Sequence, residues 1–262
     1  TMRNNFSQNP TWRAQNRLDI YENMKNGMKG FINGFFQDKK IVFDKNRAWT
    51  SNIKLLDTIM EDENAKIIWL YRNPVEIVSS IEAQYQKTIL LENMDESTAP
   101  GAFATLDRRI STYVNPDGLI AYPVESLKDA LEMGYSKRIL FIKYFDLTNS
   151  TQEVMNLIHD FLGLARFEYD LENITQRTFE FDGVYNYKFP HVIREGAINY
   201  KKGDYQIEEK FAQAINERFF PINQLILTGD YTSLLNLPPL QNETPDNQMP
   251  TDNSEDLSHN QI

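Results

Sequence analysis

The stretch Ile67-Ile68-Trp69-Leu70-Tyr71-Arg72-Asn73-Pro74-Val75-Glu76-Ile77-Val78-Ser79-Ser80 decides how the rest of the chain is read. Its first five residues are apolar or aromatic throughout, the composition of a short strand buried on both faces. Pro74 suits the first turn of a helix, because its φ is already set and its missing N–H has no partner to lose there. The helix is expected to run from Val75 to about Lys87. A strand that ends on an arginine and turns at once into a helix sets a guanidinium beside the backbone N–H groups of the helix start. Ser80 lies about two turns further in, too far to cap the helix but able to face a ligand along its flank. Arg72 and Ser80 are therefore candidates to grip one phosphate, the first by a charge-assisted fork and the second by its hydroxyl. On spacing alone, a surface arginine and a helix serine account for the same pattern more often.

Upstream of this stretch, Lys40-Ile41-Val42-Phe43 reads as a second short buried strand, and Ser51 as the cap of a helix carrying Ile53, Leu55, Leu56 and Ile59. Leu18, Tyr21, Met24, Met28, Ile32 and Phe35 recur at helical spacing over 18–36, a pattern that Gly27, Gly30 and Gly34 weaken. Downstream, residues 88–135 alternate between helical and irregular character, with polar breaks at Asn93 to Gly101 and Asn115 to Gly118; they read as an insertion or lid. A third strand, Arg138 to Tyr144, leads through Asn149 into a helix carrying Val154, Leu157, Ile158, Phe161 and Leu162, which Gly163 closes. Residues 167–203 are rich in aromatics and aperiodic, and helical spacing returns over 206–227.

Strands alternating with helices predict an α/β fold, a parallel sheet covered by helices on both faces. Residues 1–236 are expected to form one domain. The remainder, 237–262, holds four prolines and five acidic residues with no lysine or arginine, the composition of a disordered tail.

With 262 residues, 41% of them hydrophobic, the chain can bury one sizeable core. Its 37 acidic side chains against 27 basic ones give a net charge of -10, which excludes nucleic acid and anionic membranes as main partners and makes any phosphate site a local one. The absence of cysteine removes disulfides and thiolate metal sites, so the cytoplasm is the default location. The apolar runs are strand-sized, far below the roughly 20 residues that span a bilayer. His159, His191 and His259 are too scattered to suggest a metal site.

The order strand, Arg72-Asn73-Pro74, and then Ser80 resembles the 3'-phosphate-binding segment of sulfotransferases that use 3'-phosphoadenosine-5'-phosphosulfate (PAPS), and three further segments stand in that family's order over roughly residues 1–200. The first is Val42-Phe43-Asp44-Lys45-Asn46-Arg47. By the resemblance, Lys45 contacts the sulfate being transferred, as in the carbohydrate and protein-tyrosine branches. Arg47 stands where the cytosolic small-molecule branch has its histidine base, and arginine cannot serve as a base near neutral pH. The second is Ile139 to Leu147, similar to the family's strand ending in Tyr-Glu-Asp-Leu, with Phe145 in place of the glutamate. It implies that Tyr144 reaches the nucleotide. The third comprises Asp182-Gly183-Val184-Tyr185 and His191-Val192-Ile193-Arg194, similar in position to the loop that closes over adenosine. Tyr185 is implied to stack on adenine and Arg194 to add a second cation to the 3'-phosphate. This segment lacks the Arg-Lys-Gly of the cytosolic branch.

The resemblance implies sulfuryl transfer from PAPS to a hydroxyl or amine on a small molecule, glycan or protein, without a metal. The general base it implies is a glutamate soon after the family's glycine-rich phosphate loop. No such loop occurs in these residues, and Met2-Arg3-Asn4-Asn5 resembles the family's segment just beyond that loop and its helix, so the expectation is a chain that continues upstream. A sheet without the loop-bearing strand is expected to expose an edge. Two other readings stand beside this one. A nucleotide kinase predicts a magnesium-holding aspartate at a strand end, for which Asp44 qualifies. A non-catalytic nucleotide-binding module predicts binding without turnover.

Overall fold

The computed structural model describes residues 18–36, 39–88, 104–175 and 195–228. The expected tail at 237–262 lies outside them. Two strands, β1 (Ile67–Tyr71) and β2 (Ile139–Lys143), pair in parallel with Ile67 opposite Ile139 and Tyr71 opposite Lys143. In chain order the helices are α1 (Leu18–Phe36), α2 (Trp49–Met60), α3 (Pro74–Lys87), α4 (Leu106–Val114), α5 (Ala121–Glu132), α6 (Tyr144–Asn149), α7 (Thr151–Leu162), α8 (Glu209–Arg218) and α9 (Phe220–Thr228).

Alternation along each strand sends neighbouring side chains to opposite faces of the sheet. Ile67, Trp69, Tyr71, Ile139 and Phe141 face a large core with Val78 of α3, Leu127 of α5 and Phe219. Ile68, Leu140 and Ile142 face a smaller one with Val154 and Ile158 of α7. Helices thus cover both faces of the parallel pair, as the apolar strands required. Each fully buried side chain of the Val78 or Leu127 kind contributes roughly 1.5–3 kcal/mol relative to exposure.

Local chemistry explains the helix ends. At α3 the Asn73 side chain accepts from the Val75 N–H at 2.9 Å, Pro74 occupies the first turn, and Glu76 complements the helix dipole. Gly134 and Gly163 close α5 and α7 with φ of 84° and 72°, a conformation costly for other residues. Gly27, Gly30 and Gly34 are tolerated inside α1, which spans its expected range. Arg138 anchors the start of β2: it forks onto Asp57 of α2 at 2.8 Å from each terminal nitrogen and donates to the Ala65 carbonyl at 2.8 Å. The Asp57 hydrogen bond holds the Arg138 charge more firmly than usual.

Three local expectations are corrected. Residues 40–43 form no strand: Ile41 and Phe43 are 52% and 67% exposed in irregular chain. An apolar run becomes a strand only where a neighbour supplies hydrogen bonds, and here β1 is paired with β2 instead. Of the insertion or lid expected at 88–135, residues 89–103 lie outside the described residues, and 106–132 are not a lid. Ile110, Tyr113, Ile120, Leu127 and Leu131 are buried in the large core, because α4 and α5 pack their apolar faces inward. Ser51 does not cap its helix, since α2 starts at Trp49 and the Ser51 hydroxyl donates back to the Ala48 carbonyl at 2.8 Å. The helical spacing over 206–227 resolves into α8 and α9, which meet at the buried Phe219.

Candidate functional site

The register of the sheet builds the site. Because Tyr71 stands opposite Lys143, the next residues, Arg72 and Tyr144, leave the two parallel strands side by side at their C-terminal ends, where open α/β sheets bind ligands. The Arg72 guanidinium lies 4.9 Å from the Tyr144 ring centroid, a cation–π contact. Its Nε faces Glu76 Oε2 at 3.3 Å, and its Nη2 donates to the Lys201 carbonyl at 2.9 Å. Tyr200 donates its hydroxyl to the same Glu76 oxygen at 2.6 Å, and its ring meets Tyr144 and Phe145 at 5.7 and 5.2 Å. The hydrogen bond to Glu76 also holds the Tyr200 phenol above its ordinary pKa. Burial, then the Glu76 charge, pushes Tyr71 up to about 12.

The first turn of α3 contributes less than a bare helix start. The Val75 N–H is taken by the Asn73 side chain and the Ile77 N–H by the Asn73 carbonyl, which leaves fewer backbone donors there than a bare helix start offers. The paired serines divide. Ser79 is buried and donates to the Tyr205 carbonyl, whereas Ser80 is exposed on the helix flank. Gly203 fits against both: a Cβ there would fall 2.3 Å from Ser79 Oγ, 2.7 Å from Ser79 Cβ and 2.9 Å from the Ser80 nitrogen. Residues 200–203 therefore cross the start of α3 in close contact, carrying the exposed Lys201 and Lys202. Lys201 Nζ is 3.7 Å from Asp204.

Lys45 is exposed in the irregular segment before α2, and it lines the same open groove as Arg72, with Trp69, Tyr71 and Tyr122 on its walls. The groove measures 2390 Å³, above the roughly 300–1,000 Å³ of a pocket for one small ligand. Asp44 is not at a strand end, since that strand is not formed, and its carboxylate accepts from the Trp49 indole at 2.6 Å. The position that qualified it for magnesium is therefore missing. Arg47 reaches the Leu119 carbonyl at 3.5 Å and ties this segment to the turn before α5. His159 is held between the Tyr169 hydroxyl at 2.8 Å and the Ala165 carbonyl, a bracing role for the chain after α7. Tyr185, His191 and Arg194 lie outside the described residues. Among the described residues, no group of three His, Cys, Asp or Glu side chains converges as metal ligands, and no helix is long and apolar enough to cross a membrane.

The structure thus brings Arg72 and Tyr144 into contact, sets Ser80 on the adjoining flank, and leaves Lys45 on a groove that, of these residues, Arg72 alone shares. It adds three features that the sequence alone did not single out. Glu76, at i+4 from Arg72, was legible from helical spacing. Tyr200 carried no local signal. Lys201-Lys202-Gly203 meets Arg72 and the flank of α3 through its backbone. A comparison with protein-family models matches residues 11–219 to a sulfotransferase domain. A search of curated proteins finds no match.

Proposed function

This chain belongs to the sulfotransferase family, whose chemistry is transfer of a sulfuryl group, and from that premise we propose that its donor is PAPS and its acceptor a hydroxyl or amine. The observation that carries the reading is the convergence of Arg72, Tyr144 and Lys201-Lys202-Gly203 at the C-terminal end of the parallel pair, beside the exposed Ser80. In a chain of net charge -10, a guanidinium beside two exposed lysines and a helix-flank hydroxyl, with Glu76 on Arg72 and Asp204 near Lys201, supports a local phosphate site. We assign the 3'-phosphate to Arg72 and Ser80, supported by Lys201 and Lys202, and a nucleotide contact to Tyr144. By the family resemblance Tyr185 and Arg194 join this set. Bound here, PAPS supplies the sulfuryl group and departs as 3',5'-ADP.

Lys45 carries the catalytic charge in this reading. Negative charge grows on the oxygen that leaves with the nucleotide, and an ammonium already in place stabilises that state more than the ground state. Lys45 and Arg72 line one groove, which supports placing the transferred sulfuryl group and the 3'-phosphate end of one nucleotide along it.

Thermal unfolding in the presence of 3',5'-ADP or 5'-AMP tests the donor assignment. The 3'-phosphorylated nucleotide is expected to raise Tm more, by the equivalent of about 2.7 kcal/mol at a concentration 100 times its Kd; equal shifts overturn the reading. In assays of label transfer from sulfur-35 PAPS to hydroxyl and amine acceptors, Lys45→Ala is expected to lower kcat about 100-fold with nucleotide affinity retained. An unchanged kcat removes Lys45 from the mechanism.

A further inference from the structure

A carboxylate within reach of the arginine assigned to a phosphate looks misplaced, because it repels the same ligand. The surroundings of Glu76 give it another role. Arg72 is held on three sides: Nε by Glu76, Nη2 by the Lys201 carbonyl, and one face of the guanidinium by the Tyr144 ring. Glu76 is itself held, since the Tyr200 hydroxyl donates to it at 2.6 Å. Its contact with Arg72 is single and long, 3.3 Å at Nε, rather than a fork across the terminal nitrogens. Among the described residues no hydrogen bond falls on Nη1, so that edge of the guanidinium can take a ligand while the plane is fixed. A free arginine side chain must surrender much rotamer freedom on binding, and one already oriented surrenders less.

We infer that Glu76 is a positioning residue, buttressed by Tyr200, that sets the plane of Arg72 for a 3'-phosphate; the inference rests on the assignment of Arg72 proposed above. Orientation outweighs repulsion because the carboxylate charge is shared between the Arg72 guanidinium and the Tyr200 hydroxyl. Tyr200 also belongs to the segment whose Gly203 lies on Ser79 and Ser80, so the buttress links the arginine and serine sides of the site.

Calorimetric titration of the protein with 3',5'-ADP and with 5'-AMP tests this, the readout being the ratio of the two affinities. Glu76→Ala is expected to lower that ratio about tenfold while leaving 5'-AMP affinity unchanged. Glu76→Gln, which keeps the shape and an acceptor, should lower it about threefold, as should Tyr200→Phe. In an Arg72→Ala background, Glu76→Ala should have no further effect. A parallel loss of both ligands, a gain in 3',5'-ADP affinity, or an undiminished effect without Arg72 would each overturn the positioning role. Should Glu76→Ala fail to fold, the Gln and Phe variants decide by the same ratio. A wild-type protein that does not distinguish the nucleotides sinks the phosphate assignment itself, whereas one that distinguishes them equally well with and without Glu76 sinks only this inference.

Discussion

Glu76 and Glu82 stand on the same helix, less than two turns apart, and each meets an arginine whose guanidinium also lies over a tyrosine ring. At the inner pair Glu82 is fully buried and the Arg109 side chain 7% exposed. Arg109 forks onto both carboxylate oxygens, Nε at 2.9 and 3.1 Å and Nη2 at 2.8 Å, with Tyr85 at 4.2 Å. Burial opposes the Arg109 charge, but the hydrogen-bonded Glu82 carboxylate outweighs it and raises the pKa. At the outer pair the Arg72 and Glu76 side chains are 19% and 26% exposed and share one contact at 3.3 Å. The same two residue types thus do different work. A fork closed inside the core satisfies both partners and ties α4 to α3, while a single contact at the rim orients a cation and leaves an edge of it available.

The comparison breaks most readily at the inner pair. Glu82→Ala leaves the Arg109 charge in the core without its carboxylate, an expected loss of about 3–5 kcal/mol in denaturant unfolding. Glu82→Leu combined with Arg109→Met should recover most of that stability, because an apolar pair of similar volume carries no desolvation cost. A loss below about 1 kcal/mol for the single change would mean that the pair is not the brace its burial suggests.

The equivalent replacement at the rim sharpens the contrast. Arg72→Met with Glu76→Leu should change stability by less than about 1 kcal/mol, as expected of partly exposed pairs. It should also abolish the preference for 3',5'-ADP over 5'-AMP, a loss of about 10- to 100-fold for a charge-assisted phosphate contact. Stability that falls as far as for Glu82→Ala would erase the distinction between the two pairs.

Glu61 extends the series outward and carries the smallest expected effect. At 57% exposure it lies between Lys29 and Lys25 at 2.8 and 3.0 Å, and its hydrogen bonds to these lysines, Lys29 first, pull its pKa from 4.5 to about 2. A depressed folded-state pKa stabilises above the unfolded value and is lost as pH falls through the folded one. The contribution is thus present above pH 4.5 and lost between there and about 2. In Glu61→Gln the acid limb of a Tm profile should lose this component while stability at neutral pH changes little. An identical acid limb would show that the two lysines do not hold the carboxylate in solution.

The parts of the fold that were legible in the sequence have local causes. Pro74 behind Asn73 starts α3, Gly163 ends α7, and the unbroken apolar runs of β1 and β2 demanded cover on both faces. The arginine at the end of β1 was legible too, as strand followed at once by helix. Residues 40–43 misled because their apolarity meets the need for burial but not the need for a hydrogen-bonding neighbour. Residues 106–132 misled in the opposite sense: polar breaks before and within them suggested a peripheral excursion, while Ile110, Ile120 and Leu127 carry them into the core.

Within the site, Arg72 and Ser80 were legible from spacing and Tyr144 from the family resemblance, but their relation was not. Tyr144 comes beneath Arg72 through the β1–β2 register, a pairing between segments about 70 residues apart that neither segment encodes alone. Tyr200 and Gly203 come to α3 across a still longer separation. By itself the sequence determined the strand, the turn and the helix that present Arg72, since these depend on φ, capping and alternation over a few residues. Only the tertiary structure decided that Glu82 is closed inside and Glu76 left at the rim. Both are glutamates on one helix, and burial is a property of what packs against a residue, not of its neighbours in the chain.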